Sequence, residues 1–384
     1  MKREPETVNE PRCSLCRGAM DLVRSFPRSV TSESRVIEKE SSLLCCSTCG
    51  HLMSQLAVDW ADYYRTQYDA TLTDGGADEI VTTADGALVF RTDLDFGLFQ
   101  DKVLRHLPLN TRIFEFGAGH GRIVSRAHAA GFTDYAAYDV GERYGESLAQ
   151  WLNRDRIHIG VQPAVEVDVV CSFFVLEHDV DPVGSLRYMR SLLRLGGLIY
   201  LVVPNFESNP ADLACADHVQ HFHPERFAAL VREEGFSVRQ VDTTSAVGTT
   251  IVVAEAITPV LRAPRVALVA FREITARAMQ HFEELCERLK LVADSVSDGE
   301  SVVFYGAGFY STLLFSMLGD AKLAGVLDAN PRKHGMDRFG VKVRGPSSLS
   351  EADADSKLLV CVNPAISRGI GQSLGGSFRA VECL

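Results

Sequence analysis

The 384-residue sequence has no unbroken apolar run approaching the ~18 residues that a membrane-spanning helix needs. It has no basic excess: 39 lysines and arginines stand against 50 aspartates and glutamates, a formal net charge of −11. A nucleic-acid binder needs a basic surface to displace counterions, so that class of partner is set aside along with the membrane. The opening stretch MKREPETVNEP has no apolar centre and does not read as a secretory signal. The expectation is a cytoplasmic protein. In that compartment its ten cysteines read as metal ligands or buried apolar residues rather than as disulfides.

Cys13 and Cys16 form one Cys-x-x-Cys pair, and Cys46 and Cys49 form another. A two-residue gap lets both thiolates of a knuckle face a single ion, and two such pairs predict a zinc ribbon. Four thiolates fill a tetrahedral shell, so the expected role of the zinc is structural. Cys45 is the spare thiol; it replaces Cys46 only by spoiling the knuckle spacing.

After the ribbon, DWADYYRTQYDATLTDGGADE reads as a helical turn followed by a glycine-containing loop, a lid segment closing the first unit at residues 1–75. Residues 76–258 alternate strand and helix, with strands expected at 112–117, 134–139, 167–172, 197–204, 236–242 and 249–256. Such alternation predicts an α/β fold, a parallel sheet covered on both faces. Within 259–298, Leu268, Phe271, Thr275, Ala278, Phe282, Leu285, Leu289 and Val292 recur in threes and fours, one stripe on a long bridging helix. Residues 299–384 alternate again, with strands at 301–305, 323–328, 340–343 and 357–362, and predict a second, small Rossmann-like unit.

The stretch IFEFGAGHGRIVSRAHAAGF joins a buried strand to a helix through Gly117, Gly119 and Gly121. Glycines there permit a tight turn and let a ligand approach bare backbone. A dinucleotide fingerprint places its third glycine one residue later, where this sequence has Arg122. The stretch instead resembles the first motif of class I S-adenosylmethionine (SAM)-dependent methyltransferases. Asp139 in DYAAYDVGERY, and VDVVCSFFVLEHDVDPVGSLRYMRSLLRLGGLIYLVVPN, resemble the later motifs of the same class. The resemblance implies SAM as cofactor. Glu115 would orient its amino-acid moiety, the glycines would receive it, Asp139 would hold its ribose, and Ser172 and Phe173 would complete the contact set.

The order of a four-cysteine ribbon, YYRTQY, SAM domain, long helix and small Rossmann-like domain resembles the sugar C-methyltransferases. Those enzymes methylate carbon beside a ketone in nucleoside-diphosphate-linked deoxysugars. The resemblance implies a nucleotide-sugar acceptor held in part by the end of the chain, where GVLDANPRKHG looks like the family's segment. Methylating carbon requires a base and a group to hold the enolate oxygen. CADHVQHFHPERF carries Asp217, His218, His221 and His223 in the loop after the Val-Pro-Asn strand end. His218 matches the family's loop histidine and is the expected base, with Asp217 setting its tautomer; Cys215 stands where the family has tyrosine. His221 is expected mainly to brace the loop. Glu177, His178, Tyr64 and Tyr68 are further candidates near the acceptor or the methyl donor. An O- or N-methyltransferase and a non-catalytic scaffold stay open as alternatives, as does the oligomeric state.

A second glycine turn, SVVFYGAGFYST, lacks a third glycine, and Phe309, Tyr310 and Ser311 crowd it. Asp328 lies at a distance along the chain that suits a ribose contact, and Asn330, Arg332 and Lys333 are candidate diphosphate contacts. Substrate-nucleotide binding, dinucleotide binding and a purely bracing copy of the fold are the three readings.

Overall fold

The computed structural model describes residues 11–69, 78–82, 88–258, 268–318, 321–349 and 351–384. The start of the chain, most of the glycine-containing loop expected after YYRTQY, the boundary expected at 75/76, the far side of the boundary expected at 258/259, and the first residues of the long helix lie outside the described residues.

The central sheet has seven strands in the order Ile157–Ile159, Tyr135–Asp139, Ile113–Phe116, Val167–Phe173, Leu193–Pro204, Thr249–Ala256, Phe236–Asp242. The first five run parallel, which is why Ile113–Phe116 reads as an uninterrupted apolar run apart from Glu115: all four residues are buried. Thr249–Ala256 is antiparallel to both of its neighbours, a departure from the expected all-parallel sheet. Only residues 243–248 join it to Phe236–Asp242, a connection too short for the crossover that a parallel pair needs. Ile157–Ile159 is a strand that was not expected; its three residues are half-buried at the sheet's edge.

The chain winds outward from Ile113–Phe116 on one side, then returns to add Val167–Phe173 on the other. This reversal opens a crevice beyond the C-terminal ends of those two strands, where α/β sheets take their ligands. Helices at Arg122–Ala129, Tyr144–Leu148, Pro182–Leu192 and Pro224–Glu233 belong to the same unit.

The C-terminal sheet runs Asp337–Arg338, Val341–Arg344, Lys322–Leu327, Ser301–Tyr305, Lys357–Val360, Ala380–Cys383 and is parallel except for its first pair. The N-terminal ribbon is a three-stranded antiparallel sheet of Met20–Phe26, Ser41–Cys46 and Leu52–Leu56.

The helix Leu268–Asp294 joins these units. Its stripe of Phe271, Thr275, Ala278, Phe282, Leu285, Leu289 and Val292 is buried. Residues 278–292 of the stripe share one core with Leu43 and Leu52 of the ribbon, Phe206 and Leu213 of the central unit, and Val302 and Phe304 of the C-terminal sheet. Gly50 packs so closely on this helix that a Cβ there would lie 3.0 Å from the Arg272 Cα, and its φ of +70° favours glycine as well. No helix among the described residues is long and apolar enough to cross a membrane.

Candidate active site

The turn after Ile113–Phe116 is built by three left-handed glycines, with φ of +80°, +50° and +74° at Gly117, Gly119 and Gly121. A Cβ at Gly117 would lie 2.2 Å from Val175, so that position packs against the neighbouring strand's loop. A Cβ at Gly119 would meet nothing within 4 Å. The turn thus shows open space at its middle glycine and protein on either side, as a cradle for a small ligand requires.

Asp139 ends the next strand and is 7% exposed. Its Oδ2 accepts from the Gly119 amide and its Oδ1 from the Gly141 amide, both at 2.8 Å. One bond per oxygen leaves each with capacity for a further donor, such as a ribose hydroxyl. Burial raises its carboxyl above the usual range, and those amides oppose the rise. Glu115, in contrast, is committed inside the sheet: its Oε2 accepts from the Tyr135 hydroxyl at 2.9 Å, and burial pushes its carboxyl up to about 8. Ser172 is buried with its hydroxyl unpartnered, and Phe173 packs edge-on against Phe99 with ring centres 5.8 Å apart. The next residue, Phe174, takes φ +54° at the crevice rim, a conformation that non-glycine residues hold only under tertiary constraint.

The segment of helix Trp60–Thr66 lies across these loops. The Glu142 amide donates to the Arg65 carbonyl at 3.2 Å, and Arg143 Nη2 donates to the Thr66 carbonyl at 2.6 Å. His120 Nε2 lies 3.1 Å from Asp69 Oδ1. Tyr64 and Tyr68 stack edge-on at 4.9 Å and both face the His178 ring, at 5.0 and 5.6 Å.

The loop 205–223 brings a polar cluster to the same edge. Asp212 lies at its centre: His218 Nδ1 donates to its Oδ1 at 2.6 Å, and His221 Nδ1 donates to its Oδ2 at 2.8 Å. Ser54 of the ribbon donates to His221 Nε2 at 2.8 Å. Burial opposes ionisation of Asp212, but the two imidazoles outweigh it and hold its carboxyl well below the usual range. Burial also opposes a charge on His218; the neighbouring Cys215 and Asp212 outweigh it, and the imidazole is held well above its usual value.

The expected partner of His218, Asp217, points elsewhere. It accepts from the Ser32 amide and hydroxyl at 2.7 Å each, and from the Cys215 thiol at 3.2 Å. The physical reason is register: Cys215 bridges to Val30 of the ribbon, which turns Asp217 toward Ser32. The Tyr64 hydroxyl lies 2.5 Å from His178 Nδ1 and donates to the Asp217 carbonyl at 3.0 Å. His178 is pushed down to about 4 by burial and by His218. Glu177 is 1% exposed and close to both histidines. His223 caps the helix Pro224–Glu233, accepting from the Glu225 amide, and stands outside the cluster.

A family profile described as a methyltransferase domain matches residues 92–241, which hold the glycine turn, Asp139 and the histidine loop. The chain carries a SAM-dependent methyltransferase domain. A comparison with curated proteins finds no match. Among solved structures, this methyltransferase is similar to a SAM-dependent methyltransferase from Mesorhizobium loti, at 15% identity over 42% of this chain and 99% of that one, with a TM-score of 0.35. It is also similar to the CurJ carbon methyltransferase, at 19% identity over 43% and 54% of the two chains with a TM-score of 0.35. The [4+2]-cyclase SpnF gives 12% identity over 49% and 90%, with a TM-score of 0.40. At these scores the likenesses say nothing about the acceptor.

Outside the matched region, the methyltransferase gathers Cys13, Cys16, Cys46 and Cys49 into one group whose sulfurs all lie within 4.8 Å of one another. Cys13 and Cys49 are 3.7 Å apart and Cys16 and Cys46 3.4 Å. Sulfurs about 2.3 Å from a tetrahedral zinc stand about 3.8 Å apart, so the four thiols fit that ion. Cys45 is half-buried on the adjacent strand position and belongs to no such group.

In the C-terminal unit, Asp328 repeats the arrangement of Asp139: it accepts from the Ala307 and Asn330 amides at 2.8 Å each. All three expected diphosphate contacts are engaged by protein, Asn330 through its Oδ1, which accepts from the Arg332 amide at 3.0 Å. The Lys333 ammonium lies 3.8 Å from Asp328, and the Arg332 guanidinium sits 4.8 Å from the Phe90 ring centre. Asn330 is buried, with its side-chain amide nitrogen unpartnered.

Sequence reasoning missed Asp212, Ser32 and Ser54. The two serines lie in the ribbon, 185 and 167 residues from the groups they hold, and no local pattern links them.

Proposed function

We propose that this methyltransferase moves a methyl group from SAM to carbon beside the ketone of a nucleoside-diphosphate-linked deoxysugar, with His218 as the base. The observation that carries this reading is the Asp212–His218 pair at 2.6 Å, beside the crevice that receives the methyl donor. Asp212 fixes His218 with Nδ1 as donor, which leaves Nε2 to take a proton from the acceptor. Because the imidazole is held above its usual value, it is a stronger base than free histidine, and its neutral form grows as pH rises. SAM would be held by Asp139 and the turn at Gly119 and would supply the electrophilic methyl; the residues described here orient it and exclude water. The four-cysteine ribbon would hold one structural zinc. The Asn330 side chain and the turn at Gly306 are the part of the C-terminal unit suited to the acceptor's nucleotide. A cytoplasmic place in natural-product sugar biosynthesis follows from that acceptor.

Incubation with SAM and a panel of keto- and hydroxy-sugar nucleotides, read by mass spectrometry, tests the reading. Uptake of solvent deuterium beside the ketone marks the carbon route. Methylation of a hydroxyl or amine with no such uptake would put the O- or N-methyl alternative in its place.

A further inference from the structure

We propose that Glu177 is a second catalytic residue: its neutral carboxylic acid donates a hydrogen bond to the acceptor's carbonyl oxygen and holds that oxygen as the enolate forms. This rests on the carbon-methylation reading and supplies the group that reading still requires. Removing a proton beside a ketone drives negative charge onto oxygen. A fixed donor aimed at that oxygen in a dry site is the largest single help an enzyme gives such a step.

Glu177 follows the strand Val167–Phe173 at the crevice edge and is 1% exposed, and its Oε2 has no hydrogen-bond partner. A buried polar atom without a partner is costly, and in a functional crevice the missing partner is a ligand group. One side-chain atom from each of Glu177, His178 and His218 lies within 4.8 Å of the other two. Nδ1 of His218 is spent on Asp212, and Nδ1 of His178 on Tyr64 and the Asp217 carbonyl. A carbonyl placed beside His218 is therefore within reach of Glu177. Burial pushes the Glu177 carboxyl up to about 8, with Asp212 and Asp217 adding to the rise and His218 opposing it. At neutral pH it carries the proton that it donates.

In the step itself the α C–H bond breaks and its proton passes to His218 Nε2. The electron pair becomes the enolate, its oxygen held by the Glu177 O–H. SAM, when bound, would supply the methyl: a C–C bond would form to the carbon as the C–S bond breaks, with S-adenosylhomocysteine as the leaving group. Glu177 keeps its proton throughout.

The test compares Glu177→Gln with Glu177→Leu in the full chain, using the keto-sugar nucleotide that the wild type methylates. Deuterium uptake with S-adenosylhomocysteine bound, methyl transfer across pH, and SAM affinity are measured. Glu177→Leu should lose uptake and transfer by about 10²–10³-fold, with SAM affinity unchanged. Glu177→Gln keeps a neutral donor and should retain most of the ~10²–10³-fold that Glu177→Leu loses. Ionisation of the Glu177 carboxyl, raised to about 8, should hold down the alkaline rise in wild-type turnover that comes as His218 loses its proton, and Glu177→Gln should rise further than wild type there. A Gln variant as inactive as the Leu variant overturns the proposal, because that outcome demands a carboxylate, as base or as cation ligand. A fully active Leu variant overturns it too. Failure of the underlying reading shows separately: the wild type itself then exchanges no α proton with any ketone of the panel.

Discussion

Asp139 illustrates how much one carboxylate does at the residue scale. It closes the glycine turn through Gly119, holds the following turn through Gly141, and keeps acceptor capacity for the cofactor. Asp139→Ala should weaken SAM binding by roughly 1.5–3 kcal/mol, the scale of hydrogen bonds to a charged group, while the protein still folds. Calorimetry giving wild-type affinity would show that the ribose contact lies elsewhere. Asp212 binds two imidazoles with one carboxylate. Asp212→Asn can accept from only one of them, so turnover should drop about 10–100-fold, and the rate should respond to pH as a less basic imidazole does. An unaltered pH profile would remove Asp212 from the role of positioning His218. Glu115 offers a prediction on stability. Its folded carboxyl is raised to about 8, above its ordinary value of 4.5. Its contribution is therefore fully present below pH 4.5 and is lost as pH rises toward 8, because the unfolded chain ionises first. Glu115→Gln should remove that loss, flattening urea stability between pH 5 and 8 by up to several kcal/mol. The same slope in variant and wild type would assign the pH dependence to other groups.

At the scale of elements, the ribbon braces the loop that carries Asp212, His218 and His221 rather than standing apart from it. The Ala216 amide donates to the Val30 carbonyl at 2.8 Å and the His221 amide to the Leu52 carbonyl at 3.0 Å. Gln220 accepts from Ser14, which lies between the two cysteines of the first knuckle, and its Oε1 lies 2.8 Å from His51 Nε2. A metal held by the four cysteines would thus be linked to the geometry of His218 through two strands' worth of backbone. Cys46→Ser should lose the zinc, and hydrogen exchange should then quicken at the Ala216 and His221 amides while strand Ile113–Phe116 stays protected. Zinc retained in that variant and lost on changing Cys45 would overturn the ligand set.

Over the whole molecule, one core passes through the ribbon, the central unit, the long helix and the C-terminal sheet. Polar contacts run beside it: Arg338 donates to the Ser34 carbonyl at 3.1 Å, Tyr310 to Asn209 at 2.6 Å, and Thr275 to the Gly50 carbonyl at 2.8 Å. Phe282 is fully buried at this junction, 6.2 Å from the Phe26 ring. Phe282→Ala should cost about 3–5 kcal/mol. Ribbon and C-terminal sheet should then melt at lower temperature together. A loss confined to the helix would mean that the shared core does not couple them.

The cysteine spacing, the glycine turn, Asp139 and the long helix's stripe were legible in the sequence because each is a local pattern: backbone conformation and helical period act over a few residues. The expected strands were legible for the same reason, as apolar runs between turns. The antiparallel direction of Thr249–Ala256 needed the length of its connection to be weighed against the sheet. The partner of His218 was not legible at all. Asp217 is its neighbour in the chain, but the bridge between Val30 and Cys215 turns Asp217 to Ser32 and leaves Asp212, six residues away, to hold the imidazole. Hydrogen bonds between buried groups are chosen by where packing puts them. At a loop held between the ribbon and the central sheet, that choice belongs to the tertiary structure.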